Sequence, residues 1–414
     1  MGRRHGSVGE LDQGNGPLMA SAAETARPCP VCGCLLAELL YQQRFADFMA
    51  GSISNGYDVV ACAECGACFA TGLPAPERFA QYYADSSKYD LGNDAAEIPR
   101  RDRDRYADQA AFVAVHVSDP ETTVLDVGTA AGGFLIALRD AGLRRVHGVE
   151  PSPDAVRVAT DNFGLDVRVG GLSEATAWGY RFGLVSYIAV LEHLLSPRDQ
   201  VRAIAEVLAP NGLLFVSVPN GGAFRDGADA PYQEFSVEHI NFFTSGSLRN
   251  LMAAEGYELV AERTPLLAFG SNAHGPALEA IYRWRGSTQP IRRDTLGAAA
   301  IREYVELSAK RQAGVIERIA GLAASGERIY VWGTGTHTLH LLKTSRLGDC
   351  RIEAFLDSNP HYAGASLIGR PVLAPADLAA ADAPILVSSA VSQSGIAEAA
   401  RKRFGADVAL ILLY

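Results

Sequence analysis

The run Val124-Leu125-Asp126-Val127-Gly128-Thr129-Ala130-Ala131-Gly132-Gly133-Phe134-Leu135 decides the fold. A short strand-like segment enters a loop of small residues. The loop leads into a helix whose apolar face carries Phe134, Leu135 and Leu138 and which Gly142 ends. Small residues at such a turn let a ligand lie against bare backbone. A lone Gly-x-x-x-Gly is a weak signal, but four downstream features support it. Glu150 ends the next strand in His147-Gly148-Val149-Glu150-Pro151, placed to accept both hydroxyls of a ribose. Gly170-Gly171-Leu172 follows a third strand and Ser186–Glu192 a fourth. Leu208-Ala209-Pro210-Asn211-Gly212 then turns into the apolar run that starts at Leu213.

Working outward, strand-like runs at Thr123–Val127, Arg145–Val149, Asp166–Val169, Leu184–Ile188 and Leu213–Val218 alternate with helical ones. That alternation predicts βαβ units on a parallel sheet. Residues 76–120 read as a helical lid or linker. Within them the charge run Arg100-Arg101-Asp102-Arg103-Asp104-Arg105 reads as a solvated helix face. Residues 266–325 read as a helical connector ended by Gly326. A second alternation begins at Arg328: Ile329–Trp332 run into Gly333-Thr334-Gly335, His337–Leu342 start a helix, and Ile352–Leu356 end at Asp357. Thr338 stands where a dinucleotide fingerprint has its third glycine. Three readings of this unit stay open: a redox-cofactor site, a site for the nucleotide or sugar part of a substrate, or a purely structural domain.

The motifs around Asp126-Val-Gly128-Thr-Ala130-Ala-Gly132, Gly148-Val-Glu150-Pro151-Ser152, Val190-Leu191-Glu192-His193 and Leu208-Ala-Pro-Asn-Gly212 resemble, as a set, the class I S-adenosylmethionine-dependent methyltransferases. The resemblance covers about residues 121–220. It implies that Asp126, Gly128, Ala130 and Gly132 line the methionine end of S-adenosylmethionine. It likewise implies that Glu150 and Pro151 hold the ribose, that Leu172 packs near the adenine, and that Leu191 and its neighbours Val190–His193 sit beside the sulfonium. Ala130 departs from the family, many of whose members have Gly there. Gly183 also departs, where the strand often carries Asp.

Six of the seven cysteines, Cys29, Cys32, Cys34, Cys62, Cys65 and Cys68, fall within 40 residues. Cys29-Pro-Val-Cys32-Gly33 and Cys62-Ala-Glu-Cys65-Gly66 are matching knuckles. Each offers two thiolates to one ion and a glycine that lets backbone amides approach the sulfurs. Cys29, Cys32, Cys62 and Cys65 therefore predict a closed, structural zinc site in a reducing compartment. Cys34 and Cys68 read as spare.

With 414 residues the chain allows two to four domains at roughly 100–200 residues each. A net charge of −10 speaks against nucleic acid and an anionic membrane surface as partners. No apolar run approaches the length of about 18 residues that a spanning helix needs. The expectation is a cytoplasmic enzyme acting on a small molecule.

Past the fifth strand, Phe235-Ser236-Val237-Glu238-His239-Ile240-Asn241-Phe242-Phe243 sets an acid beside a His among aromatics. His is the natural base near neutral pH. Glu238-His239 is thus the candidate for deprotonating an acceptor, and Glu192-His193 reads as scaffold. The whole layout resembles the sugar C-methyltransferases of deoxysugar biosynthesis, which methylate a nucleotide-linked keto-sugar beside the ketone. The resemblance matches the family's Glu-His pair to Glu238-His239. It also implies an assisting Tyr from the segment after the zinc module, with Tyr82, Tyr83 and Tyr89 as candidates and Tyr82 taken as the catalytic one. Ser236 stands where the family often has Tyr, which leaves O-methylation of a sugar or other hydroxyl compound as the alternative.

The expected fold is thus α/β. A disordered leader (1–25) precedes a zinc-binding module (26–75) and the lid (76–120). A class I methyltransferase (Rossmann-like) core (121–265), the connector (266–325) and a C-terminal Rossmann-like domain (326–414) follow.

Overall fold

A computed structural model describes residues 22–48, 52–85, 98–227, 230–268 and 274–414. The N-terminal unit contains β1 (Ala23–Glu24), β2 (Leu36–Arg44), β3 (Gly56–Cys62) and β4 (Cys68–Thr71), followed by α1 (Pro76–Asp85) and α2 (Arg100–Ala114). Ala23–Glu24 pairs with Leu36–Ala37, so the end of the expected leader is a strand. Residues 1–21 and Tyr89 lie outside the described residues.

The central sheet is built from β5 (Thr123–Val127), β6 (Arg145–Glu150), β7 (Asp166–Val169), β8 (Phe182–Ile188) and β9 (Leu208–Pro219). The helices α3 (Gly133–Asp140), α4 (Pro153–Phe163) and α5 (Pro197–Val207) connect them as parallel crossovers. α4 shows why the chain folds this way locally. Ser152 Oγ accepts the Ala155 amide, Pro153 begins the helix, and Gly164 ends it at φ +61°. The Pro-Asn-Gly turn interrupts pairing along β9: Phe182 faces Leu208, and Leu184 next faces Leu213.

After β10 (Asn241–Phe242) and α6 (Ser245–Ala254) come β11 (Tyr257–Arg263), β12 (Leu266–Ala268) and β13 (His274–Trp284). These correct the expected helical connector, because Leu266–Ala268 and His274–Trp284 are strands. β13 inserts antiparallel between β9 and β11, giving the order β11-β13-β9-β8-β5-β6-β7. Its burial explains the misreading: Gly275–Tyr282 is covered on both faces, so it lacks the alternation that marks a strand. Only α7 (Gly297–Ser325) is the connecting helix, with a buried stripe at Ile301, Tyr304, Ser308, Gln312, Val315 and Ile319.

The C-terminal unit comprises β14 (Arg328–Trp332), α8 (Thr336–Thr344), β15 (Arg351–Leu356), β16 (Ser366–Leu367), β17 (Arg370–Leu373), β18 (Ile385–Val387), α9 (Gln393–Phe404) and β19 (Leu410–Leu412). Its sheet runs β16-β17-β15-β14-β18-β19 and is parallel except at β16. One apolar core joins the units. Phe45 and Tyr57 of the N-terminal unit, Phe235 and Phe242, Tyr304 of α7, and Leu339 of α8 all belong to it. The N-terminal sheet also takes its last strand from the central region, in the order β1-β2-β3-β4-β10. No described helix is long and apolar enough to cross a membrane.

Candidate active site

The turn between β5 and α3 is held from below. Glu150, at the end of β6, accepts the Ala130 amide on Oε2 and the Ser152 amide on Oε1, both at 2.9 Å. Burial raises its carboxyl pKa, and those two amides oppose the shift. Asp126 is buried beneath the loop, where Ser186 Oγ donates to it at 2.6 Å. Desolvation pushes its carboxyl up to about 7. Gly128 (φ +77°) and Gly132 (φ +84°) occupy the left-handed region. A Cβ on Gly128 would lie 2.8 Å from Val190 Cγ2, and one on Gly132 2.1 Å from Leu165 Cδ1.

Ala130, the family's usual glycine position, sits at φ +48°. An L-residue there costs roughly 1–2 kcal/mol, part of which returns as lost chain entropy when Gly replaces it. Ala130→Gly will therefore raise the melting temperature, by about 0.5–1 kcal/mol of stability. A lower melting temperature would contradict the strain.

A cavity of about 1330 Å³ opens over this loop. Gly128, Ala130, Glu150, Pro151 and Leu172 line it. Leu191 does not: it is fully buried in the apolar core, and its neighbours Val190, Glu192 and His193 face the space instead. Asp126 and Gly132 support the loop from behind it.

Glu238 and His239 line the same cavity. Ser236 Oγ accepts the amides of Glu238 (3.3 Å) and His239 (3.1 Å), fixing the turn that presents them. Tyr82, from α1, donates its hydroxyl to Glu238 Oε1 at 2.7 Å. Tyr82 is buried and reaches the cavity only through this contact with Glu238. The pair set aside as scaffold also belongs to the site. His193 Nδ1 lies 3.1 Å from the Glu238 carbonyl, which can only accept, so this nitrogen carries the proton. The His193 and His239 rings meet edge to face at 5.0 Å.

α2 was expected to be a solvated face, yet Arg101, Asp102, Arg105, Tyr106 and Gln109 line the cavity. The spacing 102, 105, 106, 109 is a helical stripe, a signal that the charges in it obscured. At the far end the cavity reaches the C-terminal unit at Thr336, Ala390 and Val391. Asp357 is not in its wall. Its carboxylate accepts the Thr334 amide and hydroxyl (2.9 and 2.7 Å) and the Asn359 amide (2.9 Å).

Residues 96–262 match the methyltransferase domain family. The chain carries a methyltransferase domain of the S-adenosylmethionine-dependent kind. It is 24% identical over 262 residues to the C-methyltransferase NovU of Streptomyces niveus, covering 59% of this chain and 60% of NovU. It is 32% identical over 115 residues to a ubiquinone biosynthesis O-methyltransferase of Xanthomonas campestris, covering 26% of this chain and 48% of that one. The magnesium protoporphyrin IX methyltransferase ChlM of Synechocystis, solved with S-adenosylmethionine bound, aligns with 43% of this chain and 78% of its own at a TM-score of 0.33 and 15% identity. The chain spans less than two thirds of the length of these two curated relatives.

Beside the methyltransferase domain, Cys29, Cys32, Cys62 and Cys65 bring their sulfurs within 4.8 Å of one another. Cys29 and Cys65 Sγ are 3.5 Å apart, and Cys32 and Cys62 Sγ 3.4 Å. Tetrahedral thiolates about 2.3 Å from zinc stand ~3.8 Å apart, so the four fit such an ion. Gly33 and Gly66 return amides to the Cys29 and Cys62 carbonyls (2.9 and 3.0 Å). Gly66 is obligatory, because a Cβ there would lie 2.0 Å from the Asp294 carbonyl oxygen. Cys34 and Cys68 stay outside the cluster.

The cysteine sheet also grips the loop that carries Glu238 and His239. β10, two residues after His239, pairs with β4. Tyr57 Oη donates to the Ser236 carbonyl at 2.7 Å, and Gln43 Nε2 to that of Phe235 at 2.8 Å. The Arg27 guanidinium, two residues before the first knuckle cysteine, reaches the carbonyls of Ile240 (3.0 Å), Leu194 (3.1 Å) and Leu195 (2.8 Å) and the Asn241 side chain (2.7 Å). Burial lowers its pKa to about 10.

Proposed function

We propose that this chain methylates a nucleotide-linked keto-sugar at the carbon beside the ketone, with His239 as the base. The observation that carries this reading is one cavity lined by Glu150, by Glu238, which Tyr82 holds from behind, and by His239. When bound, S-adenosylmethionine supplies an electrophilic methyl group and departs as S-adenosylhomocysteine. Glu150 fits its ribose: it lines the cavity, and each carboxylate oxygen accepts one amide and keeps capacity for a further donor. Gly128 lines the cavity with bare backbone, close under Val190, where a Cβ would lie 2.8 Å from Cγ2.

His239 takes the proton from the acceptor carbon, and the resulting enolate attacks the methyl group in line. Glu238, held by Tyr82, offsets the positive charge that His239 gains. Holding both reactants in one enclosed space supplies much of the acceleration. The C-terminal unit, which closes the cavity at Thr336, Ala390 and Val391, takes the nucleotide portion. NovU's name as a C-methyltransferase supports the carbon acceptor. Ser236 and the O-methyltransferase relatives favour a second reading, transfer to an acceptor hydroxyl. Incubating the protein with S-adenosylmethionine and a panel of nucleotide-sugars and glycosides, read by mass spectrometry, tests the first reading. Methyl incorporation only into glycosides or other hydroxyl compounds would replace it with the second.

The Cys29, Cys32, Cys62 and Cys65 set holds one structural zinc, consistent with a reducing cytoplasm. Elemental analysis will find about one zinc per chain. Cys62→Ser will lower metal content and melting temperature, and turnover with them, because the same sheet anchors the loop that carries His239. Metal-free protein with full stability would refute the site.

A further inference from the structure

Glu192 and His193 are neighbours in the chain, and the fold brings His239 to them. One ligand atom from each of the three side chains lies within 4.8 Å of the others. Two imidazoles and a carboxylate are a donor set for a divalent transition-metal ion. Glu192 Oε1 stands 3.9 Å from His193 Nε2. Ligand atoms about 2.0–2.2 Å from such an ion are roughly 3.0–3.5 Å apart, so a small side-chain rotation closes the gap.

The two loops that supply these donors are stapled together. The Ile240 amide donates to the Glu192 carbonyl at 2.9 Å. Asn241 Nδ2 donates to the carbonyls of Leu191 (2.9 Å) and Leu194 (2.8 Å), and the Arg27 guanidinium bridges those of Ile240 and Leu194. A backbone fixed in this way presents ligands at little cost in ordering. His193 is also oriented as metal-binding histidines are. Its Nδ1 gives a proton to a backbone carbonyl, that of Glu238, at 3.1 Å. The lone pair of the neutral ring is then on Nε2, the atom 3.9 Å from Glu192. Glu192 is 1% exposed, and a dication is an effective counter-charge for a carboxylate so removed from water. His193 and His239 are half-buried and line the cavity. Three protein donors, with the remaining positions facing a cavity, make an open site, unlike the closed four-thiol cluster.

Resting on the reading of His239 as the base, we infer that Glu192, His193 and His239 form a divalent-cation site whose occupation switches that base off. A neutral imidazole has one nitrogen with a lone pair, and its other nitrogen carries hydrogen. An ion that takes the lone pair leaves His239 nothing with which to accept the proton from the acceptor carbon. Metal and substrate proton compete for the same electron pair, and the ion is an inhibitor.

The probe is cobalt(II), titrated into the full chain with its thiol site loaded with zinc. Absorbance reports the ligands, because thiolates add intense sulfur-to-cobalt charge transfer and nitrogen and oxygen donors give only the weaker d–d bands. Wild type will bind one cobalt ion with d–d bands and no charge transfer. Glu192→Gln and His239→Ala will each weaken that binding at least about tenfold. S-adenosylhomocysteine affinity, measured on each variant, shows that it is folded. Should Glu192→Gln not fold, His239→Ala, at a half-buried position, carries the same test. Wild-type turnover will fall in step with cobalt occupancy, and the turnover left in Glu192→Gln will need at least about tenfold more cobalt for the same loss. No cobalt binding by wild type, or binding that survives both substitutions, would overturn the site. Full or raised turnover at saturating cobalt would overturn the switch. Wild type inactive on every acceptor before cobalt is added fails the proposed function and the switch with it, while the spectrum still decides whether the ion binds.

Discussion

Replacing His239 with Ala will leave S-adenosylmethionine affinity unchanged and lower turnover by about 10²–10⁴-fold, the usual contribution of a positioned general base. The affinity is spared because His239 is presented by the Ser236 turn, whereas the cofactor loop is held by Glu150. Glu238→Gln will cost less, since it keeps the hydrogen bond with Tyr82 and removes only the charge. Stopped assays for turnover with parallel calorimetry for affinity separate the two effects. Wild-type turnover in His239→Ala would move the base elsewhere, and His193, edge-on to His239 at 5.0 Å, is the next to test.

Gly128→Val will abolish measurable cofactor binding. Two independent penalties act at that position. The backbone stands at φ +77°, a region hostile to a β-branched residue. The first added carbon would also lie 2.8 Å from Val190 Cγ2, in the space between the first and fourth loops. Glu150→Ala will weaken binding by about 1–3 kcal/mol through unpaired polar partners. The structure adds that Glu150→Ala also frees the Ala130 and Ser152 amides, so its loss combines cofactor contact with loop support. Calorimetry on both variants checks this, and undiminished affinity in both would place the cofactor elsewhere.

The parallel part of the central sheet was legible because each strand met its helix through a turn with its own chemistry. Glycines at positive φ, Ser152 as a cap and the Pro-Asn-Gly turn all act within a few residues of chain. The clustering of four thiols was legible for the same reason, since two Cys-x2-Cys knuckles are local geometry. β13 was not, because its role depends on burial between two strands distant in sequence. The site was half legible. Glu238-His239 was found from an acid beside a His, but which Tyr reaches it is a contact across 156 residues, and only the fold selects Tyr82. Leu191 was misplaced: in this short 3₁₀ turn it alone points into the core, while Val190, Glu192 and His193 face the cavity. The charge run of α2 read as a solvated face, although Arg101, Asp102 and Arg105 in fact line the cavity.

Removal of a proton from carbon by His239 is the central claim, and solvent exchange tests it most directly. With a nucleotide-linked keto-sugar, S-adenosylhomocysteine in the cofactor site and deuterium oxide as solvent, proton NMR will show deuterium entering at the carbon beside the ketone with wild-type protein. His239→Ala will leave that carbon at its uncatalysed rate. No exchange with wild type, together with a methyl group found on oxygen when S-adenosylmethionine is supplied, would contradict the account.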